Sequence, residues 1–175
     1  MVILQEEFIL KIDLNQLTLD LSDLEEIGSS KDLESLIEFP PLEFKGRKIR
    51  VPEPLNLKLN VYLADKSFFL SGKLKGDLAM ECSRCLEQFH FPLNIDVEKE
   101  LDRSEIKDIK NIDISNIIKN NVFLAIPIKP LCSEECQGIC PECGQNLNDE
   151  KCDCNTEIFD PRLAELEKFF EDDEE

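Results

Sequence analysis

The eight cysteines of this chain fall into groups whose spacing is typical of metal binding. Cys82 and Cys85 form one C-x-x-C pair, and six more cysteines follow closely together near the C-terminal end: Cys132, Cys136, Cys140, Cys143, Cys152 and Cys154. Thiols that lie two to four residues apart at turns converge on one point, and two sets of four thiolates suit two tetrahedral zinc ions. We therefore predict a binding protein whose fold is held together by metal ions, rather than a catalyst.

The most specific motif is Cys140-Pro-Glu-Cys143-Gly144. In a metal knuckle the two thiolates lie on one side of a tight turn, and a glycine after the second cysteine relieves a left-handed backbone position. The pair Cys152-x-Cys154 completes this set of four. The remaining four would form a second site: Cys82, Cys85, Cys132 and Cys136. One site with spare thiols, and other partitions of the clustered cysteines, remain open alternatives.

Other thiol chemistries fit the pattern less well. Iron is the competing metal, but electron-transfer centres favour an aromatic, water-poor shell, and this chain has no Trp and one Tyr. A redox C-x-x-C lies at a helix N-terminus, and structural disulfides are rare in the cytosol. A catalytic zinc keeps an open position, whereas sets of four cysteines close their sites. We expect zinc, two ions per chain, and no enzymatic activity.

The formal net charge of −18 excludes strong long-range attraction to free nucleic acid. The exception is a basic stretch between Lys45 and Lys75. The ordinary alternative is that these lysines form a solvated strand face and contact no nucleic acid. His90, the one histidine, is expected to be an ordinary surface residue. The candidate nucleic-acid-binding residues are Lys45, Arg47, Lys48, Arg50, Lys58, Lys73, Lys75 and Arg84, the last lying between two cysteines.

The first residues carry acids rather than a basic leader, and no run approaches the roughly 20 apolar residues of a membrane span. These features predict a cytoplasmic protein without membrane contact.

Alternating apolar residues predict the strands that position the cysteines. A first strand is expected over 2–12, and the clearest one over 55–63. The alternating runs 70–80 and 89–97 flank the first cysteine pair, which predicts a β-hairpin with Cys82 and Cys85 at its tip.

Helices are predicted over Asp32–Phe39, where Pro40 and Pro41 would end the helix, and over 114–125, which leads into the cysteine cluster. The predicted fold class is α+β, an antiparallel β-sheet body covered by helices with a small cysteine-rich metal-binding segment. The predicted domains are the body over 1–131, the zinc-binding segment over 132–156, a C-terminal helix over 157–170 and a disordered acidic tail over 171–175.

The order of these motifs resembles a known family. A Cys82-x-Arg84-Cys85-Leu86 element precedes Cys136-x-Gly138-x-Cys140-Pro141-x-Cys143-Gly144, and Asp160-Pro161-Arg162 follows the last cysteine pair. This arrangement is similar to the YceD family, the large ribosomal RNA subunit accumulation proteins of bacteria and plastids. The resemblance spans about residues 45–170 and is most specific from Cys82 onward.

The resemblance implies a role in accumulation or processing of large-subunit ribosomal RNA, without a catalytic centre. The implied partners are the large-subunit RNA precursor or ribosomal proteins. The acidic composition leaves a second hypothesis, a zinc-stapled adaptor or holdase for a basic ribosomal protein. The sequence does not fix the oligomeric state.

Overall fold

A computed structural model describes residues 11–154 of the chain. Two 3-10 turns, Leu14–Gln16 and Arg103–Glu105, accompany nine strands and one α-helix within this range. The elements in chain order are β1 Lys11–Asp13, β2 Thr18–Leu19, β3 Ser30–Glu38, β4 Leu42–Phe44, β5 Arg47–Ile49, β6 Leu55–Ala64, β7 Ser67–Glu81, β8 Gln88–Asp102, β9 Ile112–Asp113 and α1 Ser115–Ala125.

The central element is a five-stranded sheet in the order β1-β3-β6-β7-β8. Along β6 every second side chain is buried, from Leu55 to Leu63, because successive residues of a strand point to opposite faces. The buried face belongs to one hydrophobic core that also contains Ile118 and Val122 of helix α1, both fully buried. Burying each such aliphatic side chain stabilises the fold by about 1.5–3 kcal/mol. This face of the sheet is therefore the core.

The expected α+β body is only partly observed. Strand β1 runs parallel to β3, so the main sheet is mixed rather than wholly antiparallel. Two small two-stranded sheets, β2-β9 and β4-β5, supplement it. Within residues 11–154 the only α-helix is α1, so cover of the sheet by several helices was wrong for this part of the chain.

The helix predicted over Asp32–Phe39 was also wrong, because this stretch forms strand β3. Asp32 and Glu34 point outward and find partners on β6: the carboxylate of Asp32 accepts a hydrogen bond from Asn60 at 2.8 Å, and that of Glu34 pairs with Lys58. Leu33 and Ile37 point to the other face, where Ile37 is buried. Pairing with β6 outweighs the local helix signal, since short apolar runs are decided by tertiary context.

The cysteine-tipped hairpin is confirmed and is the longest feature of the fold. Strands β7 and β8 each hold 15 residues and stay in register from Ser67↔Asp102 to Glu81↔Gln88. The close approach of β7 to β6 requires glycine at position 72, because a Cβ there would lie 2.1 Å from the Lys58 carbonyl oxygen. The hairpin thus carries Cys82 and Cys85 in the turn that joins its strands.

Helix α1 begins and ends close to its predicted limits. The carboxylate of Asp113 accepts a hydrogen bond from the Ser115 N–H at 2.8 Å, just before the helix starts. Hydrogen bonds from the hydroxyl and the N–H of Ser115 hold the pKa of Asp113 below its usual value. The residues after α1 lead to Cys132.

The chain divides into two compact units. Within the described residues, the first unit holds 11–82 together with Glu87–Cys132, and the second holds Ser83–Leu86 and 133–154. Most of the predicted first strand, the C-terminal helix over 157–170 and the acidic tail over 171–175 lie outside the described residues. Among the described residues, no helix has the length and apolar character needed to cross a membrane.

Candidate metal centres

The eight cysteines gather into two tetrads. In each tetrad the four sulfur atoms lie within 4.8 Å of one another. Four thiolates around a tetrahedral zinc ion, with Zn–S bonds of about 2.3 Å, are separated by about 3.8 Å. Both tetrads can therefore hold a metal ion with small adjustments. The first tetrad is Cys82, Cys85, Cys132 and Cys136, and the second is Cys140, Cys143, Cys152 and Cys154.

The turn that carries the first two cysteines is closed by its own backbone. The Cys82 N–H donates to the Glu87 carbonyl at 2.9 Å, at the point where the long hairpin ends. Cys82 and Cys85 are buried, as is Cys136, whereas Cys132 is exposed. The first tetrad is thus largely shielded from water.

Arg84 and Gly138 make contacts within the second unit, between the Ser83–Leu86 segment and the chain around Cys136. The Arg84 guanidinium donates to the carbonyls of Glu134 and Cys136 at 3.1 and 2.9 Å. Gly138 is buried against the same turn, since a Cβ there would lie 3.2 Å from the Arg84 carbonyl oxygen. These contacts hold the chain around Cys136 against the Ser83–Leu86 segment.

The second tetrad is built on a short backbone loop. The Cys140 N–H donates to the Gln145 carbonyl at 2.8 Å, and the Gly144 N–H donates back to the Cys140 carbonyl at 2.9 Å. A further pair of strand-like contacts links Ile139 and Asn146. This is the knuckle geometry that the Cys-x-x-Cys-Gly motif predicts.

The backbone of this knuckle favours a thiolate at Cys140. Hydrogen bonds from the N–H groups of Cys143 and Glu142 to its sulfur lower the pKa of Cys140 to about 7. The pKa of Cys154 is raised to about 12, mainly by its hydrogen bond with the Cys143 sulfur and to a smaller extent by burial. Four crowded thiols cannot all ionise without a cation among them, so the loop is suited to a metal that displaces their protons.

Each tetrad contains one residue in a left-handed backbone conformation directly after its C-x-x-C pair. Gly144 has φ 75° and Leu86 has φ 63°. The left-handed region is open to glycine but costs a residue with a Cβ about 1–2 kcal/mol. The two turns therefore share one geometry, and the first one carries a strained leucine that is 60% exposed.

Asn148 is a supporting residue that the sequence reasoning missed. Its side-chain amide donates to the Cys136 sulfur at 3.4 Å, and its carbonyl oxygen accepts from the Gln137 N–H at 2.8 Å. Hydrogen bonds to a ligand sulfur orient it and tune its charge. In the sequence, Asn148 is marked only by its place beside Asn146 after the knuckle. No metal-ligand pattern assigns a role to an asparagine at this position.

The structure distributes the eight candidate nucleic-acid-binding residues over four places. Arg84 lies at the first tetrad, and Arg50 donates to the Gln88 side chain at 2.6 Å. The β4-β5 hairpin carries Lys45, Arg47 and Lys48, and the outer face of the main sheet carries Lys58, Lys73 and Lys75. The sequence stretch between Lys45 and Lys75 is therefore not one continuous basic patch.

Two lysines of the sheet face are matched by acids. Glu34, Lys58, Lys73 and Asp96 lie directly opposite one another on four neighbouring strands. Lys58 contacts Glu34 at 2.8 Å and Lys73 contacts Asp96 at 3.2 Å. The groove of about 720 Å³ over these strands is lined by both charge signs. His90, as expected, is exposed.

The comparisons with known proteins decide the family. The model of the YceD family, described as "Large ribosomal RNA subunit accumulation protein YceD", matches residues 70–170, more than half of the chain. The chain belongs to the YceD family. The matched range begins in β7 and includes all eight cysteines, so the resemblance drawn from the cysteine motifs is confirmed.

Individual relatives of the YceD-family chain differ in how much they share. It is 48% identical over 59 residues to the large ribosomal RNA subunit accumulation protein YCED homolog 1, chloroplastic, of Arabidopsis thaliana; this covers 34% of the chain and 18% of that protein. It is 27% identical to protein YlbN of Bacillus subtilis (strain 168), covering 83% and 91%. It is 29% identical to protein Rv2926c of Mycobacterium tuberculosis, covering 64% and 60%. No solved structure matches the chain.

Proposed function

We propose that this protein is a non-enzymatic ribosome biogenesis factor that supports accumulation or processing of large-subunit ribosomal RNA in the cytoplasm. The observation that carries the proposal is membership of the YceD family, whose description names that process. The implied partners are the large-subunit RNA precursor or ribosomal proteins.

The proposal assigns a structural role to the metal. Two closed sets of four sulfurs favour zinc, which prefers tetrahedral thiolate sites, at two ions per chain. Iron is the alternative, because it also binds four thiolates. Four cysteine ligands would fill the tetrahedral coordination of a zinc ion and leave no position for water or substrate, which supports a role without catalysis.

Depletion tests the proposed function directly. In cells that depend on this gene, loss of the protein should lower mature large-subunit RNA relative to small-subunit RNA, and the wild-type chain should restore it. A variant in which Cys85 and Cys143 are replaced by serine should restore it poorly, because both tetrads lose a ligand. Unchanged large-subunit RNA after complete depletion would refute the proposal.

The second candidate function is an acidic adaptor or holdase for a basic ribosomal protein. It is favoured by the net charge of −18 and by the exposed acids of β8, including Asp96, Glu98 and Glu100. Such a surface attracts a basic partner in a salt-dependent way. Salt-sensitive binding of a purified basic ribosomal protein, together with an absence of RNA crosslinks in cells, would select this candidate over direct RNA contact.

A further inference from the structure

The first unit contains a basic region that stands apart from the acidic composition of the chain. Segment 42–50, which forms the β4-β5 hairpin and its exit, holds four basic residues and one acid. Segment 114–131, which contains α1 and the residues after it, holds two lysines and no acid. In a chain with 38 acidic residues, two neighbouring segments nearly free of acids form a local positive surface.

These two segments meet through a pair of aromatic rings. Phe44 of β4 stacks on Phe123 of α1 with ring centroids 6.1 Å apart. The Lys45 ammonium lies 5.6 Å from the Phe44 ring, and the Lys119 ammonium lies 5.9 Å from the Phe123 ring. Both rings are partly exposed. The result is a row in which two lysines flank two stacked rings.

A small cleft extends this row. It has a volume of about 90 Å³ and is lined by the β4-β5 hairpin, the end of β7 and the residues that follow α1. Lys45 and Arg47 contribute two positive charges to its lining, Glu81 contributes one acid, and Ile128, which is 69% exposed, contributes an apolar side chain. We define the hairpin–helix surface as Phe44, Lys45, Arg47, Lys119, Phe123 and Ile128.

The tip of the hairpin holds its lysine in a strained conformation. Lys45 and Gly46 have φ 51° and 77°, which is the pattern of a two-residue turn that favours Asn or Gly at its first position. A lysine tolerates this conformation poorly. Strain that persists at an exposed, charged position points to a function there rather than to stability.

We propose that the hairpin–helix surface binds unpaired RNA. Lysines at this surface would contact phosphates, and bases would stack on the exposed parts of the rings, which is how proteins hold single strands without reading a duplex. The sheet face is the poorer candidate, because Lys58 and Lys73 are neutralised by Glu34 and Asp96. The inference rests on the proposed function and names the part of the protein that contacts RNA.

The test uses the full chain with its metal and two RNA probes, a labelled 12-nucleotide single strand of mixed sequence and its duplex. Wild-type protein should prefer the single strand. Replacing Lys45 by Asn and Lys119 by Gln should lower single-strand affinity about tenfold. The slope of log affinity against log salt should fall by about 1.4, the value for two phosphate contacts on a single strand. Asparagine suits the turn, so the double variant retains its fold.

The matched control replaces Lys58 and Lys73 by Gln, which removes the same charge from the sheet face. It should leave the affinity within about twofold of wild type. A Phe44→Leu variant should weaken single-strand binding without changing the salt slope, because it removes a ring and no charge.

Three outcomes would overturn the inference. One is equal loss in the two double variants, which would indicate a general charge effect. Another is a wild-type protein that binds neither the single strand nor the duplex. The third is unchanged single-strand affinity in the Lys45→Asn/Lys119→Gln variant; if that variant loses affinity for an acidic peptide added as a third probe, the surface is assigned to an acidic protein partner.

Rescue of depleted cells separates this inference from the proposed function. If depletion lowers large-subunit RNA and the Lys45→Asn/Lys119→Gln variant restores it fully, the surface is refuted and the function stands. If depletion changes nothing while RNA binding in solution depends on Lys45 and Lys119, the function is refuted and the surface stands.

Discussion

Leu86 and Gly144 occupy equivalent positions, each directly after a C-x-x-C pair and each with positive φ. The sequence indicated the second turn, since Cys143-Gly144 carries the glycine that a knuckle needs. It did not indicate that Leu86 adopts the same conformation, because a leucine carries no turn signal. The grouping of the cysteines could be predicted, since close covalent spacing largely dictates which sulfurs can meet, whereas the supporting Asn148 and Gly138 depend on contacts made in the fold.

Replacing Leu86 by Gly should stabilise the protein. Glycine removes the left-handed penalty, and because the leucine side chain is exposed, little packing is lost; the expected gain is up to about 1 kcal/mol in the free energy of unfolding. Denaturant unfolding at constant zinc concentration measures it. The control makes the opposite change in the other turn: Gly144→Ala should lower the free energy of unfolding by about 1 kcal/mol. A Cβ at this position meets no atom within 4 Å, so only the backbone conformation is affected. A less stable Leu86→Gly protein would contradict this account of the turn.

Elements of the fold were predictable where periodicity was long and unambiguous. Strand β6, the β7-β8 hairpin and α1 repeat their apolar residues over several turns or pleats, and each appears close to its expected place. The prediction failed for β3 because a helix was inferred from eight residues alone, whereas the conformation of this segment is set by its pairing with β6. The parallel partner β1 and the two small sheets have too few residues to leave a pattern in the sequence.

The β6-β7 pairing makes a second prediction. Gly72→Ala should destabilise the protein by about 2–3 kcal/mol, because the new methyl group would collide with the backbone carbonyl of Lys58, which cannot move aside without breaking the sheet. Thermal unfolding with and without added zinc measures the effect. The exposed neighbour Ser71→Ala serves as control and should change stability by less than about 0.5 kcal/mol. Equal stability of the two variants would show that the strands do not approach as closely as described.

At the scale of the whole molecule the two tetrads differ in protection. Three of four cysteines in the first tetrad are buried, whereas only Cys140 is buried in the second. A competing ligand reaches an exposed sulfur more easily, so a chelator should remove metal from the second tetrad first. Release should follow two phases, and the Cys143→Ala variant should keep only the slow phase. A single phase in the wild type, with both ions lost together, would contradict the difference in protection.

Metal content of the reduced, purified full chain, measured by native mass spectrometry, tests the central claim most directly. The account predicts a mass increase of two zinc ions for the wild type, and of one for each of the variants Cys85→Ala and Cys143→Ala, because each removes a ligand from a different tetrad. A folded wild-type protein that carries no metal and does not respond to chelators would contradict it.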